Sequence, residues 1–292
     1  MTTTLSTTLT PDSDLIGSIL TDTETDMQAA ATDPSKATRL RGIPTGLTDL
    51  DALTGGLANG QLTVIASRPG IGRTTLLSTV CRHAAIEHGI PTVVYTTEET
   101  RQQFATRILS AEAGVALHHM HTGTTTSEEQ ARLSFETEKV TDAPLRILAP
   151  ARLPVQQLED EITDLVRNHG VRLVAADGIH RIHTGPGITD VAARLAELAR
   201  ELNVPIVATN QLGRGPVLRA GKKPILDDLD DATTSAADVV VLVYREDAYV
   251  EESPRAGEAD LIVAKHRNGP CGAVQATVQA AFGRLVDLQV MV

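Results

Sequence analysis

Tryptophan is absent from the 292 residues, and aromatic side chains together supply only 2% of them. Such a chain cannot build an aromatic core, and it offers no row of rings on which the bases of a single strand could stack. Apolar residues still make up 41%, so a core is possible and must be aliphatic. Cysteine is nearly as scarce. Cys81 and Cys271 stand far apart and in no C-x-x-C arrangement, which argues against a disulfide framework or a zinc site and suits a reducing compartment. No apolar run approaches the roughly 20 residues that a membrane-spanning helix needs, and the N-terminus lacks a basic-then-apolar leader. The expectation is a soluble, cytoplasmic chain. Positive charge is short as well: 26 Lys and Arg face 37 Asp and Glu, a net charge of −11. That balance argues against a general nucleic-acid-binding coat, though not against a local basic channel.

Residues 1–40 differ from the rest of the chain. They are Thr-rich and acidic, and their composition predicts disorder. Leu15, Ile16, Ile19 and Leu20 interrupt them at helical spacing, as a marginal amphipathic turn or a short linker helix docking on a neighbouring subunit. From residue 41 to 292 apolar runs alternate with helical stripes. Strands are predicted at 61–67, 92–97, 145–149, 171–177, 205–211 and 238–245. Helical stripes lie at 74–88, around Phe104, Ile108 and Leu109, in a helix that Pro154 opens with Val155, Leu158, Ile162 and Leu165 on one face, and over Val191–Leu202. The last 50 or so residues read as strands and turns, with a hairpin tip at "RNGPCG" (267–272). Strand–helix alternation predicts an α/β fold with a mostly parallel sheet covered on both faces and a C-terminal β-hairpin region.

The stretch "SRPGIGRTT" (67–75) lies between a predicted strand and a predicted helix. Gly70 and Gly72 can turn backbone N–H groups toward an anion, and the adjoining helix adds its positive end. The candidate phosphate-binding set is Arg68, Pro69, Gly70, Ile71, Gly72, Arg73, Thr74 and Thr75. Thr74 is placed to ligate Mg²⁺ through its hydroxyl. Against the pattern G-x-x-x-x-G-K-[ST], Ser67 stands at the first glycine and Arg73 at the lysine. An ordinary Gly-rich turn fits the loop equally well when it is taken alone. Two acids weigh against that. Asp177 ends an apolar strand, where a Mg²⁺ ligand would sit beside the loop. Glu98 ends the strand after the loop's helix, where a carboxylate can activate an attacking water. Three such features at C-terminal strand ends fit one crevice.

From "RGIPTGLTDLDALTGGLANGQLTVIASRPGIGRTT" (41–75) onward the chain resembles the ATPase domain of DnaB-type replicative helicases, over most of residues 41–292. The resemblance implies a RecA-like P-loop ATPase core that uses ATP and Mg²⁺, single-stranded DNA as partner, and a homo-hexameric ring. "VVYTTEE" resembles the strand ending in the catalytic glutamate, which falls on Glu98. "RLVAADGIHRI" resembles the Walker B segment, with the acid at Asp177. "ELNVPIVATNQLGR" resembles the sensor strand, with its glutamine at Gln211. "IVAKHRNGPCGAV" resembles the hairpin that reaches into the neighbouring subunit's nucleotide site, which places the lysine and arginine finger at Lys265 and Arg267. On the residues alone, a Lys-x-Arg beside Asn-Gly reads first as a solvated hairpin tip.

The chain departs from that family at four places. Arg73 keeps the charge of the loop lysine but is longer, planar and a poorer fit between phosphates. Hydrolysis is therefore expected to be weakened rather than abolished, since a misplacement of about 1 Å can cost ~10²-fold in rate. His180 stands where the family has glutamine, and the acidic "DDLDDATTSAAD" (227–238) replaces a segment that carries an arginine. An acidic loop would repel a phosphate backbone, so Arg214, Arg219, Lys222 and Lys223 are the candidate DNA contacts, with a merely solvated loop as the equal alternative. Only about 40 residues precede the ATPase region, so the family's N-terminal collar and its primase contact are not expected. The scarcity of aromatics counts little here, because DnaB-type channels grip the backbone. Two functions stay open: a DnaB-type ATP-driven DNA helicase or translocase, and a RecA-like ATP-binding regulatory or assembly module. "HHMH" (118–121) reads as a polar loop between helices rather than a metal site.

Overall fold

A computed structural model describes residues 42–184 and 190–288. The 1–40 segment with its Leu15–Leu20 pattern, and residues 185–189 of the expected DNA-facing stretch, lie outside the described residues.

Nine strands of the described residues form one sheet in the order β3-β2-β4-β5-β1-β6-β7-β8-β9. They are β1 (Leu62–Ser67), β2 (Thr92–Thr96), β3 (Leu145–Leu148), β4 (Leu173–Asp177), β5 (Ile206–Gln211), β6 (Val239–Tyr244), β7 (Glu258–His266), β8 (Gly272–Gln279) and β9 (Arg284–Asp287). β3 through β6 pair in parallel, while β7, β8 and β9 continue the sheet antiparallel. Every residue of β1, β2, β4 and β6 is buried. This is why their sequences are mainly apolar runs rather than alternating ones.

Each face of the sheet has its own core. On one, helices Val155–His169 and Val191–Leu202 bury Leu158, Ile162, Leu195 and Ala199 against Val64, Val174 and Ala208. On the other, Leu76, Leu77 and Val80 of helix Arg73–Arg82 and Phe104 and Ile108 of helix Arg101–Ala113 pack on Ile65, Val94 and Val207. Tyr95 and Phe104 are the largest fully buried side chains in a mainly aliphatic interior. Because β1, β2, β4 and β5 are parallel, their C-terminal ends share one edge. β5 separates β1 from β4 there, which opens a crevice at the point where the strand order reverses.

Three sequence expectations change. Pro154 caps helix Val155–His169 from outside rather than opening it. The histidine run is not a loop: Leu117–Thr122 is a short helix between Ala116 and a left-handed Gly123. The acidic 227–238 stretch contains a helix, Asp231–Ala236, whose first turn is capped by the Asp230 carboxylate accepting from Thr233 N at 2.8 Å.

Candidate nucleotide site

Ser67 ends β1 fully buried, and the chain turns through Gly70 (φ +78°) and Gly72 (φ +128°). A Cβ at either would meet nothing within 4 Å, so the backbone conformation, not space, requires glycine. Buried Ile71 anchors the turn in the core, and helix Arg73–Arg82 begins immediately after it. The Arg68 side chain leaves the loop and donates to Leu212 O (2.8 Å) and Gly213 O (3.2 Å), which ties the loop to the end of β5. Pro69 is exposed and Thr75 half-buried.

Thr74 and Asp177 meet across the crevice. The Thr74 hydroxyl lies 3.1 Å from Asp177 Oδ1 and 3.3 Å from Oδ2. Asp177 also receives Thr209 Oγ1 at 2.7 Å and Thr96 Oγ1 at 3.3 Å. Burial pushes its carboxyl pKa up. The Thr209 and Thr74 hydroxyls oppose that shift, and the nearby negative charges of Glu98 and Glu99 reinforce it. A carboxylate and a hydroxyl are hard oxygen ligands, the donor set that suits Mg²⁺. Among the described residues no group of three His, Cys, Asp or Glu is placed for a metal. A cation at Thr74 and Asp177 would therefore complete its shell with water and phosphate oxygens, as Mg²⁺ commonly does. The Arg73 Nε is buried without a partner, and an anionic ligand at the loop would give it one. Both observations fit Mg²⁺–ATP.

Glu98 lies two residues past the end of β2. The Glu98 and Glu99 amides donate to Thr96 Oγ1 at 3.3 and 3.2 Å, which turns the chain back over the crevice. Gly178 (φ +81°) lets the end of β4 approach: a Cβ there would lie 2.9 Å from Glu98 Cγ. Glu98 Oε1 receives Arg73 Nη2 at 2.5 Å and lies 3.5 Å from His180 Nε2. Burial holds the His180 pKa down; Glu98 pulls it up, and Arg73 and Arg181 push it further down. Gln211 ends β5 exposed, beside Ser67 in register. With His180, Asn210, Asp230 and Thr184 it lines an open cleft of about 390 Å³.

Lys265 and Arg267 lie elsewhere. His266 of antiparallel β7 pairs with Val239, where β6 begins beside the start of β1, so both cations sit at the opposite edge of the sheet from the loop. A bulge at Val240/Val241 re-aims the strand there. Lys265 Nζ donates to Thr234 O (2.6 Å) and Ser235 O (3.3 Å) at the end of helix Asp231–Ala236. Burial lowers its pKa, Arg267 adds to that, and Asp238 opposes it. Arg267 Nε pairs with Asp238 Oδ1 at 2.6 Å.

The four basic candidates differ in how far they are already paired. Arg219 forms a two-pronged pair with Asp228 (2.9 and 3.0 Å), and Lys223 pairs with Asp260 at 2.9 Å. Lys222 sits at φ +54° with Nζ on Val217 O. Arg214 is exposed and caps helix Gly215–Leu218. The acidic stretch is thus partly spent inside the fold: Asp228 binds Arg219, Asp230 caps a helix, and Asp238 holds both Arg267 and Leu62 N.

Thr96 and Thr209 escape the sequence reading although both touch Asp177. Their only signal is a hydroxyl inside otherwise apolar buried strands.

Comparison with known proteins identifies the family and the fold. The profile of the family described as DnaB-like helicase C terminal domain matches residues 42–287. The replicative DNA helicase DnaB of Leifsonia xyli subsp. xyli is 40% identical over 258 residues, 85% of this chain and 56% of that protein. That of Geobacillus stearothermophilus is 28% identical over 261 residues, 86% of this chain and 57% of that protein. The chain therefore spans a little over half the length of these curated relatives. Among solved structures, the ATPase domain of a helicase superposes with a TM-score of 0.88 at 23% identity, over 95% of this chain and 100% of that one. A DnaB-like replicative helicase, solved in a study of its interactions with primase, gives 0.83 at 23% identity, over 94% and 67%. At that identity the two structures speak for the fold.

Proposed function

The chain belongs to the DnaB-like helicase C-terminal domain family, and from that premise we propose that it is an ATP-driven DNA translocase. In this reading ATP is bound and hydrolysed between subunits of a homo-hexameric ring that moves on single-stranded DNA. The observation that carries it is the meeting of Thr74 and Asp177, 103 residues apart, at 3.1 Å beside the phosphate loop, with Glu98 on the same strand edge. The loop amides from Gly70 onward and the Arg73 guanidinium hold phosphate, and Thr74 and Asp177 hold Mg²⁺. Mg²⁺ held by Thr74 and Asp177 would supply neutralisation of the phosphate charge. Glu98 accepts the proton of the attacking water. Gln211, at the end of β5, passes the state of the phosphate to the cleft it lines. Lys265 and Arg267 stabilise the transferred phosphoryl group of a neighbouring subunit.

A second reading, an ATP-binding assembly or regulatory module with little turnover, is favoured by one observation: the Arg73–Glu98 ion pair occupies the very carboxylate that hydrolysis needs. ATP turnover of the purified chain with and without single-stranded DNA separates the two. Turnover that rises with DNA and collapses in Glu98→Gln supports the translocase. Nucleotide binding and ring formation on a sizing column, without DNA-stimulated turnover, support the module.

A further inference from the structure

We infer that Glu98 is governed by two neighbours: Arg73 restrains its carboxylate until phosphate claims the guanidinium, and His180 is the positioning residue that then orients it. The inference rests on the reading of Glu98 as the water-activating base.

The Arg73–Glu98 contact is largely shielded, with the two side chains 8% and 19% exposed. A guanidinium hydrogen-bonded to a carboxylate oxygen occupies a lone pair that an attacking water would need. Arg73 is also only half committed. Its Nη2 is on Glu98, while its Nε is buried with no acceptor. A buried unpaired donor is costly, and phosphate oxygens would supply both the acceptor and the counter-charge. Phosphate binding and release of Glu98 thus draw on one side chain. A lysine, with all its donors on one nitrogen, has no second arm to leave unsatisfied.

His180 approaches the same oxygen. Its Nε2 is 3.5 Å from Glu98 Oε1, just outside hydrogen-bond range, so a shift of about 0.5 Å would make the bond. The segment carrying it is well anchored: Gly178 N donates to Thr209 Oγ1 at 2.8 Å and Arg181 Nη1 to Thr97 O at 3.0 Å. The charged groups facing the ring are Glu98, Arg73 and Arg181, and burial with the two arginines favours the neutral imidazole. A neutral N–H donor can orient a carboxylate without cancelling its charge. A glutamine amide could do the same, which would make His180 a functional replacement for the residue the resemblance expects there.

The test uses the full chain and its Arg73→Lys, His180→Ala, His180→Gln and Glu98→Gln variants. Affinity for a fluorescent ATP analogue with Mg²⁺ and steady-state turnover are measured between pH 5.5 and 8.5. The expected results are a several-fold higher kcat in Arg73→Lys, and a kcat about 10-fold lower with unchanged KM in His180→Ala. His180→Gln should recover most of the rate and lose the acidic limb of the kcat profile. If the native chain binds nucleotide without turning it over, turnover in Arg73→Lys supports the restraint and its absence there overturns it. An Arg73→Lys rate no higher than native, or a native kcat in His180→Ala, also overturns the inference. If Glu98→Gln is silent in that case, the underlying reading survives. Turnover retained in Glu98→Gln, or no nucleotide binding at all, removes both.

Discussion

Asp238 holds Arg267 with Oδ1 2.6 Å from Nε, while its Oδ2 accepts the Leu62 amide at 3.0 Å. The pair therefore sits where β1 starts, and the phosphate loop sits where β1 ends, about 16 Å away at roughly 3.3 Å per residue. Neither Arg267 nor Lys265 can serve its own loop, so a role in phosphoryl transfer has to be exercised on another subunit. Glu98→Gln and Arg267→Ala chains should each be inactive alone. Mixed in equal amounts they should recover up to about a quarter of native turnover, because random assembly of a ring completes that share of interfaces. Mixed rings that stay silent would refute the shared site.

Thr209 is predicted to hold the catalytic edge together. Its buried hydroxyl donates to Asp177 Oδ1 at 2.7 Å and accepts from Gly178 N at 2.8 Å. Thr209→Val keeps the shape and strands both partners. The expected cost is about 1–3 kcal/mol of stability, read from urea unfolding. Mg²⁺-dependent nucleotide affinity should fall by roughly 10-fold or more, as when other partners of metal ligands are removed. Thr209→Ser should restore both properties.

The loop, Asp177 and the sheet were legible in the sequence because a buried parallel strand must be an apolar run, and the residue that breaks it stands at the C-terminal edge of the sheet, beside the loop. Thr96 and Thr209 were not legible, since a threonine is a good strand former whether or not its hydroxyl is used. The acidic 227–238 stretch reads as a repulsive loop, because the partners of Asp228 and Asp238 come from Arg219 and from the hairpin at Arg267. Such pairings are invisible to local pattern. Helix Ser127–Asp142 carries no buried residue, so it gives no apolar stripe to find, although its capping box, Thr126 with Glu129, stands in the sequence. The Arg73–Glu98 contact was beyond reach for a further reason: it depends on where β2 lets go of its chain after Thr96.

Pairing also separates Arg214 from Arg219 among the basic candidates. Arg214→Ala should weaken single-stranded DNA binding and flatten the slope of log affinity against log salt by about 0.7, the value for one phosphate contact. Arg219→Ala should do less, since Asp228 already neutralises that guanidinium. Asp228→Asn should raise affinity by releasing it. Fluorescence anisotropy with an oligothymidine across a salt series measures all three. An Arg219→Ala effect as large as that of Arg214→Ala would mean that the ion pair opens on DNA.

Glu112 links the loop's helix to its neighbours and sets a pH dependence. Its side chain is 5% exposed and pairs with Arg82, at the end of helix Arg73–Arg82, and with Lys139 at 3.1 Å. Burial alone would raise its pKa, but the hydrogen-bonded charges of Arg82 and Lys139 outweigh it and the carboxyl titrates below its ordinary value. The unfolded chain, with Glu near pKa 4.3, then binds the proton first on acidification. The stabilisation is fully present above about pH 4.3 and is lost as the pH falls through the lower folded value. Glu112→Gln should cost about 1–3 kcal/mol at pH 7, toward the lower end because Lys139 is half exposed and screened. The gap between native and variant urea midpoints should close progressively below about pH 4. A gap that stays constant down to about pH 3 would show that Glu112 stabilises through packing rather than charge.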